Sequence, residues 1–303
     1  MSAAGMNKRG MRANFLLLSA AIVWGFAFAF QKMGADFLGA FSFNGIRFAM
    51  AAIALLPVVY IFGKGTAGIK RFIPTKTEVI AGLCAGSALF FASFLQQFGI
   101  GYTTAGKSAF ITGLYLVIVP IYGLFRKQKV HITVWIAIIM AVTGMYFLSI
   151  DDAFTINRGD FIVFIGAFIW AAHIMVVDVF NPKVDPLKFS WLQFAAASAL
   201  SLITALFAER GALNPANIRM AIIPLLYAGV CSAAIGYTLQ IIGQKDARPA
   251  PATLILSLEA VFAVIGGYFI LNELLGAREL FGCALMVGGM VLAQYKELTR
   301  LNT

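Results

Sequence analysis

The sequence predicts an all-α membrane protein in which ten transmembrane helices form two inverted five-helix repeats, and three observations support this fold. Hydrophobic residues make up 61% of the chain and charged residues 12%, about half the roughly 25% charged share of soluble domains, so a lipid solvent is the simplest account. The apolar residues gather into runs near the length that spans a bilayer, about 17 to 25 residues. The first half also recurs in the second. Trp24 and Trp170 stand 146 residues apart, and the same offset lays Phe43, Arg47, Phe48 and Ala49 over Phe189, Gln193, Phe194 and Ala195.

Ten runs are read as spans: residues 13–31, 41–62, 79–100, 108–125, 132–150, 161–179, 189–208, 220–242, 249–271 and 280–295. Each is expected to be a helix, because backbone in lipid must satisfy its own hydrogen bonds and the runs lack the alternation of a barrel strand. The first run follows Lys8, Arg9 and Arg12 and ends near Ala27-Phe28-Ala29, a pattern that a cleaved signal peptide also shows. Its tryptophan aligns with Trp170, so the run is read as retained structure. The third run carries Gly82 and Gly86 in a GxxxG spacing that lets helices approach closely, and the tenth carries Gly288 and Gly289. At offsets of 143 and 145, Gln97 falls on Gln240 and Val142-Thr143-Gly144-Met145 on Val287-Gly288-Gly289-Met290. Residues 1–150 and 151–303 are therefore read as the two copies. Five spans per copy turn the second upside down, an arrangement shared by many transporters.

Lys and Arg set the orientation. With the N-terminus in the cytoplasm, that side holds Lys8, Arg9, Arg12, Lys64, Lys70, Arg71, Lys76, Arg126, Lys127, Lys129, Lys183, Lys188, Lys245, Arg248, Lys296 and Arg300. The other side holds Lys32, Lys107, Arg158, Arg210, Arg219 and Arg278, so sixteen face six, and Arg47 inside a span completes the 23. The positive-inside rule places both termini in the cytoplasm. The net charge of +10 is spread over short loops rather than one face, which argues against nucleic acid as partner. Cys84, Cys231 and Cys283 are isolated in apolar sequence, so neither a disulfide framework nor a zinc site is expected. No metal or other cofactor is implied.

Several residues carry a resemblance. Ser257-Leu258-Glu259-Ala260-Val261-Phe262-Ala263, running on to Leu271-Asn272-Glu273-Leu274, is similar to the ninth helix and following acidic turn of the EamA-type drug/metabolite transporters. Trp24-Gly25-Phe26, Phe43 to Arg47 and Tyr102 to Thr112 match the first half of that family, and the resemblance covers nearly the whole chain. Ala260 departs from it, standing where many relatives carry proline. The resemblance implies ten helices around a central cavity and movement of small metabolites, often outward.

Gly101, Gly106, Lys107 and Ser108 satisfy the P-loop pattern GxxxxGK[ST]. The context contradicts it, since a P-loop follows a buried strand and this segment joins two membrane helices. The same residues offer a helix start with an ammonium beside free N–H groups, able to attract an anionic group at the outer mouth or to stand as a solvated loop. Glu259 lies ten residues after Pro249, roughly 15 Å along a helix and near mid-membrane. A carboxylate there must be protonated, paired or open to a water-filled cavity, which makes it a proton-carrier candidate or a permanently bonded packing acid. Arg47, about six residues inside the second run, either snorkels to the interface or faces a cavity and clamps a carboxylate with its planar fork. His173 follows Trp170 by one helical turn and precedes Asp178 by five residues. It is read with that tryptophan as an aromatic, hydrogen-bonding wall, with a core histidine as the alternative.

Gln96, Gln97 and Gln240 bring amides into the third and eighth runs, where they must find partners across helices or line a site near the axis. The expected cavity is lined by helices bearing Trp24, Gln97, Trp170, His173, Gln240 and Glu259, with Arg47 and Lys107 as further substrate-binding candidates and Glu259 and His173 as proton-coupling candidates. Such a lining suits a small zwitterion or aromatic metabolite. The expectation is a secondary transporter in a bacterial inner membrane, monomer or homodimer, that exports an amino acid or related metabolite by alternating access, with protons as a candidate coupling ion. Import of a small organic cation or sugar derivative, and a non-transport receptor, are the alternatives. An enzyme would show an interfacial cluster of acid, base and nucleophile, and the loops hold only scattered pairs such as Asp151-Asp152.

Overall fold

The computed structural model describes residues 3–63, 72–125, 132–149, 157–209, 211, 213–247, 252 and 255–300. Lys64, Lys70, Arg71, Arg126, Lys127, Lys129, Asp151, Asp152, Arg210, Arg248 and Pro249 lie outside the described residues. Among the described residues there is no strand. The helices are α1 (Ala3–Ala35), α2 (Ala40–Phe62), α3 (Lys76–Ile100), α4 (Ala105–Thr112), α5 (Tyr115–Phe125), α6 (Ile132–Ser149), α7 (Arg158–Phe180) and α8 (Pro186–Ala208). They continue as α9 (Pro215–Met220), α10 (Ile222–Leu226), a π-helical segment Tyr227–Tyr237, α11 (Thr238–Lys245), α12 (Glu259–Leu271) and α13 (Ala277–Arg300).

Six helical stretches are long and apolar enough to cross a membrane: Arg9–Ala35, Ala40–Phe62, Lys76–Ile100, Arg158–Lys183, Pro186–Ala208 and Ile222–Lys245. At about 1.5 Å per residue, even the 23 residues of α2 exceed a hydrocarbon core of about 30 Å. Ala105–Val119, Trp135–Gly144 and Ile255–Leu271 are shorter apolar helices. The protein is a multi-pass membrane protein whose regular structure is all helical among the described residues.

Three expected continuous helices are interrupted. The run read as 108–125 divides at Gly113 and Leu114 into α4 and α5. The run read as 220–242 is not one α-helix, because its centre adopts the wider π-turn, a geometry frequent at functional sites. A turn at Leu258 also precedes α12, so the ninth run is interrupted although Ala260 supplies no proline ring.

Local capping explains several helix starts. Thr75 and Glu78 form a reciprocal capping box on α3, and Asp185 caps α8 ahead of Pro186. Two other starts depend on distant carboxylates. Gly39 offers α2 no side-chain cap, and Glu209, at the end of α8, accepts from the N–H groups of Phe41 at 2.9 Å and Ser42 at 2.8 Å. Glu273, after α12, accepts from the Ala105 N–H at 3.0 and 3.1 Å. Each places negative charge at a helix N-terminus, where the dipole favours it.

Small residues bring the helices together. A Cβ on Gly25 would lie 2.3 Å from Phe262 Cβ, and one on Gly86 would lie 2.6 Å from Ala196 Cβ. The first contact seats α1 on α12 and the second seats α3 on α8. Phe48 and Phe194, equivalent in the repeat offset, stack at 5.8 Å and join α2 to α8.

Candidate substrate cavity

The helices leave a cavity with about 470 Å³ of empty space, part of it open to solvent, whose wall includes Trp24, Arg47, Gln96, Trp170, His173, Tyr237, Gln240 and Glu259. Tyr237 stands at its aromatic centre. Its ring lies 4.7 Å from Trp24 and 6.2 Å from both Trp170 and His173. The π-helical segment ends at this tyrosine, so the irregular backbone sits where it borders the cavity, the setting in which membranes tolerate it.

Two ionisable side chains of opposite sign line the same space. Arg47 is 3% exposed and Glu259 4%. Neither forms an ion pair among the described residues. The Arg47 guanidinium lies 4.7 Å over the Phe48 ring and 5.7 Å over Phe43, and its Nε has no hydrogen-bond partner. The side chain is enclosed by protein and borders the cavity.

The other candidates divide. Trp24 Nε1 donates to the Ser232 carbonyl at 3.1 Å, whereas Trp170 Nε1 has no partner. His173 Nε2 lies 3.0 Å from Gln193 Oε1, and its Nδ1 has no partner. Gln240 lines the cavity with Oε1 unmatched. Gln97 does not line it, since its Nε2 donates to the Gln31 carbonyl at 2.9 Å. The neighbouring Gln96 faces the cavity instead and donates to Gln31 Oε1 at 3.3 Å.

Lys107 also lies outside the cavity wall, 2.8 Å from Glu279 in an ion pair. The helix start expected to receive an anion is already occupied by the Glu273 carboxylate. Sequence reasoning does not single out Tyr115, Tyr237, Ser232 or Thr112, all of which border the cavity. Hydroxyl and aromatic residues are common in apolar runs, and only helix rotation brings these four together.

The profile of the EamA-like transporter family matches residues 11–150 and, again, residues 157–295. The chain belongs to the EamA-like transporter family. An uncharacterized transporter of Archaeoglobus fulgidus is 28% identical over 291 residues, covering 94% of this chain and 86% of its own. An S-adenosylmethionine uptake transporter of Rickettsia conorii is 26% identical over 273 residues, covering 88% of this chain and 86% of its own. A solved crystal structure at 16% identity superposes with a TM-score of 0.70, covering 96% of this chain and 99% of that one. At that identity the likeness shows the fold alone.

Proposed function

We propose that this EamA-like protein is a secondary transporter that carries a small zwitterionic metabolite, an amino acid or a relative of one, across the bacterial inner membrane by alternating access. The observation that carries this reading is the pairing of Arg47 and Glu259 in one cavity without an ion pair. A buried charge is costly unless matched. A ligand with a carboxylate for the Arg47 fork and an ammonium for Glu259 matches both, and the rings of Trp24, Trp170 and Tyr237 supply apolar and cation–π contact between them.

The reading includes ten helices in two inverted copies, residues 1–150 and 151–303, with both termini cytoplasmic. The double family match and the stacking of Phe48 on Phe194 support two copies. Outward movement and proton coupling through Glu259, with His173, complete the proposal. A carboxyl group that binds an ammonium in one state and a proton in the other links the two fluxes.

The test compares metabolites released by cells making equal amounts of wild type, Glu259→Gln and Arg47→Gln. An amino acid or related zwitterion released by wild type alone is the expected result. Equal release from all three, with each protein folded in the membrane, overturns the reading. Import is the second reading, favoured by the relative named for S-adenosylmethionine uptake; accumulation inside wild-type cells in place of release would establish it. pH-dependent flux that persists in Glu259→Gln would remove the proton-carrier role.

A further inference from the structure

His173 is fully enclosed, with 0% of its surface exposed. Its Nε2 lies 3.0 Å from Gln193 Oε1. With the amide oxygen on that side, Nε2 carries the proton and donates, and Nδ1 becomes a neutral acceptor. That Nδ1 has no partner, and neither does the indole N–H of Trp170 one turn earlier on α7. The two rings stand edge to face with centroids 5.8 Å apart. Trp170 and His173 both line the cavity, so its α7 side carries one unmatched donor and one unmatched acceptor.

Trp24 does not repeat this arrangement, because its N–H is engaged by Ser232. Its ring and that of Tyr237 instead provide aromatic surface next to the α7 pair. Unmatched buried polar atoms favour a ligand that supplies their complements. Aromatic walls favour a ligand that is itself a flat ring.

We propose that Trp170 and His173 read the edge of a nitrogen heteroaromatic ring bearing an exocyclic amine next to a ring nitrogen. Gln193 is the positioning residue that holds His173 as the acceptor. The ring amine donates to His173 Nδ1, and the ring nitrogen accepts from Trp170 Nε1. This inference rests on the zwitterion reading above, with the charged end of the same molecule at Arg47 and Glu259.

The test uses the full chain in lipid nanodiscs and three probes: S-adenosylmethionine, its hypoxanthine counterpart with a carbonyl in place of the ring amine, and methionine, which has no ring. Wild type is expected to bind S-adenosylmethionine at least about tenfold more tightly than either of the others, in line with the discrimination of sites built to hydrogen-bond a substrate group. Trp170→Phe, which keeps a ring and removes the N–H, and Gln193→Leu are each expected to erase most of the preference over the hypoxanthine counterpart. Methionine is expected to lose less affinity than S-adenosylmethionine in both variants. Equal wild-type affinity for the two ring-bearing probes overturns the proposal, as does a preference that survives in both variants. Methionine binding without any ring preference overturns this inference alone. Failure of all three probes to bind overturns the zwitterion reading with it.

Discussion

Trp24 and Trp170 occupy equivalent places in the repeated sequence, yet their indole N–H groups meet different surroundings. Trp24 lies against the π-helical segment and donates to Ser232. Trp170 lies on α7, which packs along α3, an unbroken α-helix of 25 residues, and its N–H stays unmatched. Arg47 and Gln193 diverge in the same way. One presents a cation to the cavity, and the other bonds the histidine that borders it. Positions matched by the 146-residue offset thus hold one bonded and one unmatched indole N–H in the first pair, and one charge and one hydrogen-bonding support in the second.

Breaking the Arg47–Gln193 contrast should have the largest effect. Arg47→Met is expected to reduce flux by about 30-fold or more, since losing a buried charged contact costs about 2–5 kcal/mol of binding. Its unfolding temperature should not fall, because the replaced cation has no ion-pair partner among the described residues. Flux in proteoliposomes and thermal unfolding of the same preparation check both halves of the expectation.

The seat of Trp24 gives the next effect. A Cβ on Gly236 would lie 2.5 Å from Trp24 Nε1, whereas one on Gly166 of α7 would approach Leu95 Cβ only to 3.3 Å. Gly236→Ala is expected to destabilise by about 1–3 kcal/mol through overpacking, and Gly166→Ala by clearly less. Similar unfolding temperatures for the two variants would contradict the tight seat.

Phe substitution of each tryptophan sharpens the comparison further. Trp24→Phe removes the bond to Ser232 and is expected to cost about 1 kcal/mol of stability. Trp170→Phe breaks no such bond and should leave unfolding nearly unchanged. The smallest charge effect is expected at Glu209→Gln, which keeps the acceptor at the start of α2 but removes its charge, a loss of about 0.3–1 kcal/mol. Unfolding midpoints measured side by side rank the three.

Particular residues explain which features are legible in the sequence. Apolar run length identifies the long spans, because a span must be apolar wherever it faces lipid. It does not reveal the break at Gly113 and Leu114 or the π-turn, since both keep an apolar composition. Glu259 and Arg47 stand out as charges in apolar sequence and do line the cavity. Repeat alignment favours Gln97 over Gln96, but adjacent residues on a helix point about 100° apart, and only the packing of α3 on α1 decides which one faces inward. Lys107 looks available in sequence because its partner Glu279 lies far along the chain.

A helical membrane protein and a set of polar residues too costly to leave in lipid both follow from the order of residues. They rest on local composition, since the bilayer constrains each run independently. Which polar atoms are matched, and which stay free in the cavity, emerges only once the helices are packed. Hydrogen bonds such as Trp24 to Ser232 or His173 to Gln193 depend on distance and direction between helices, and neither is written along a single run.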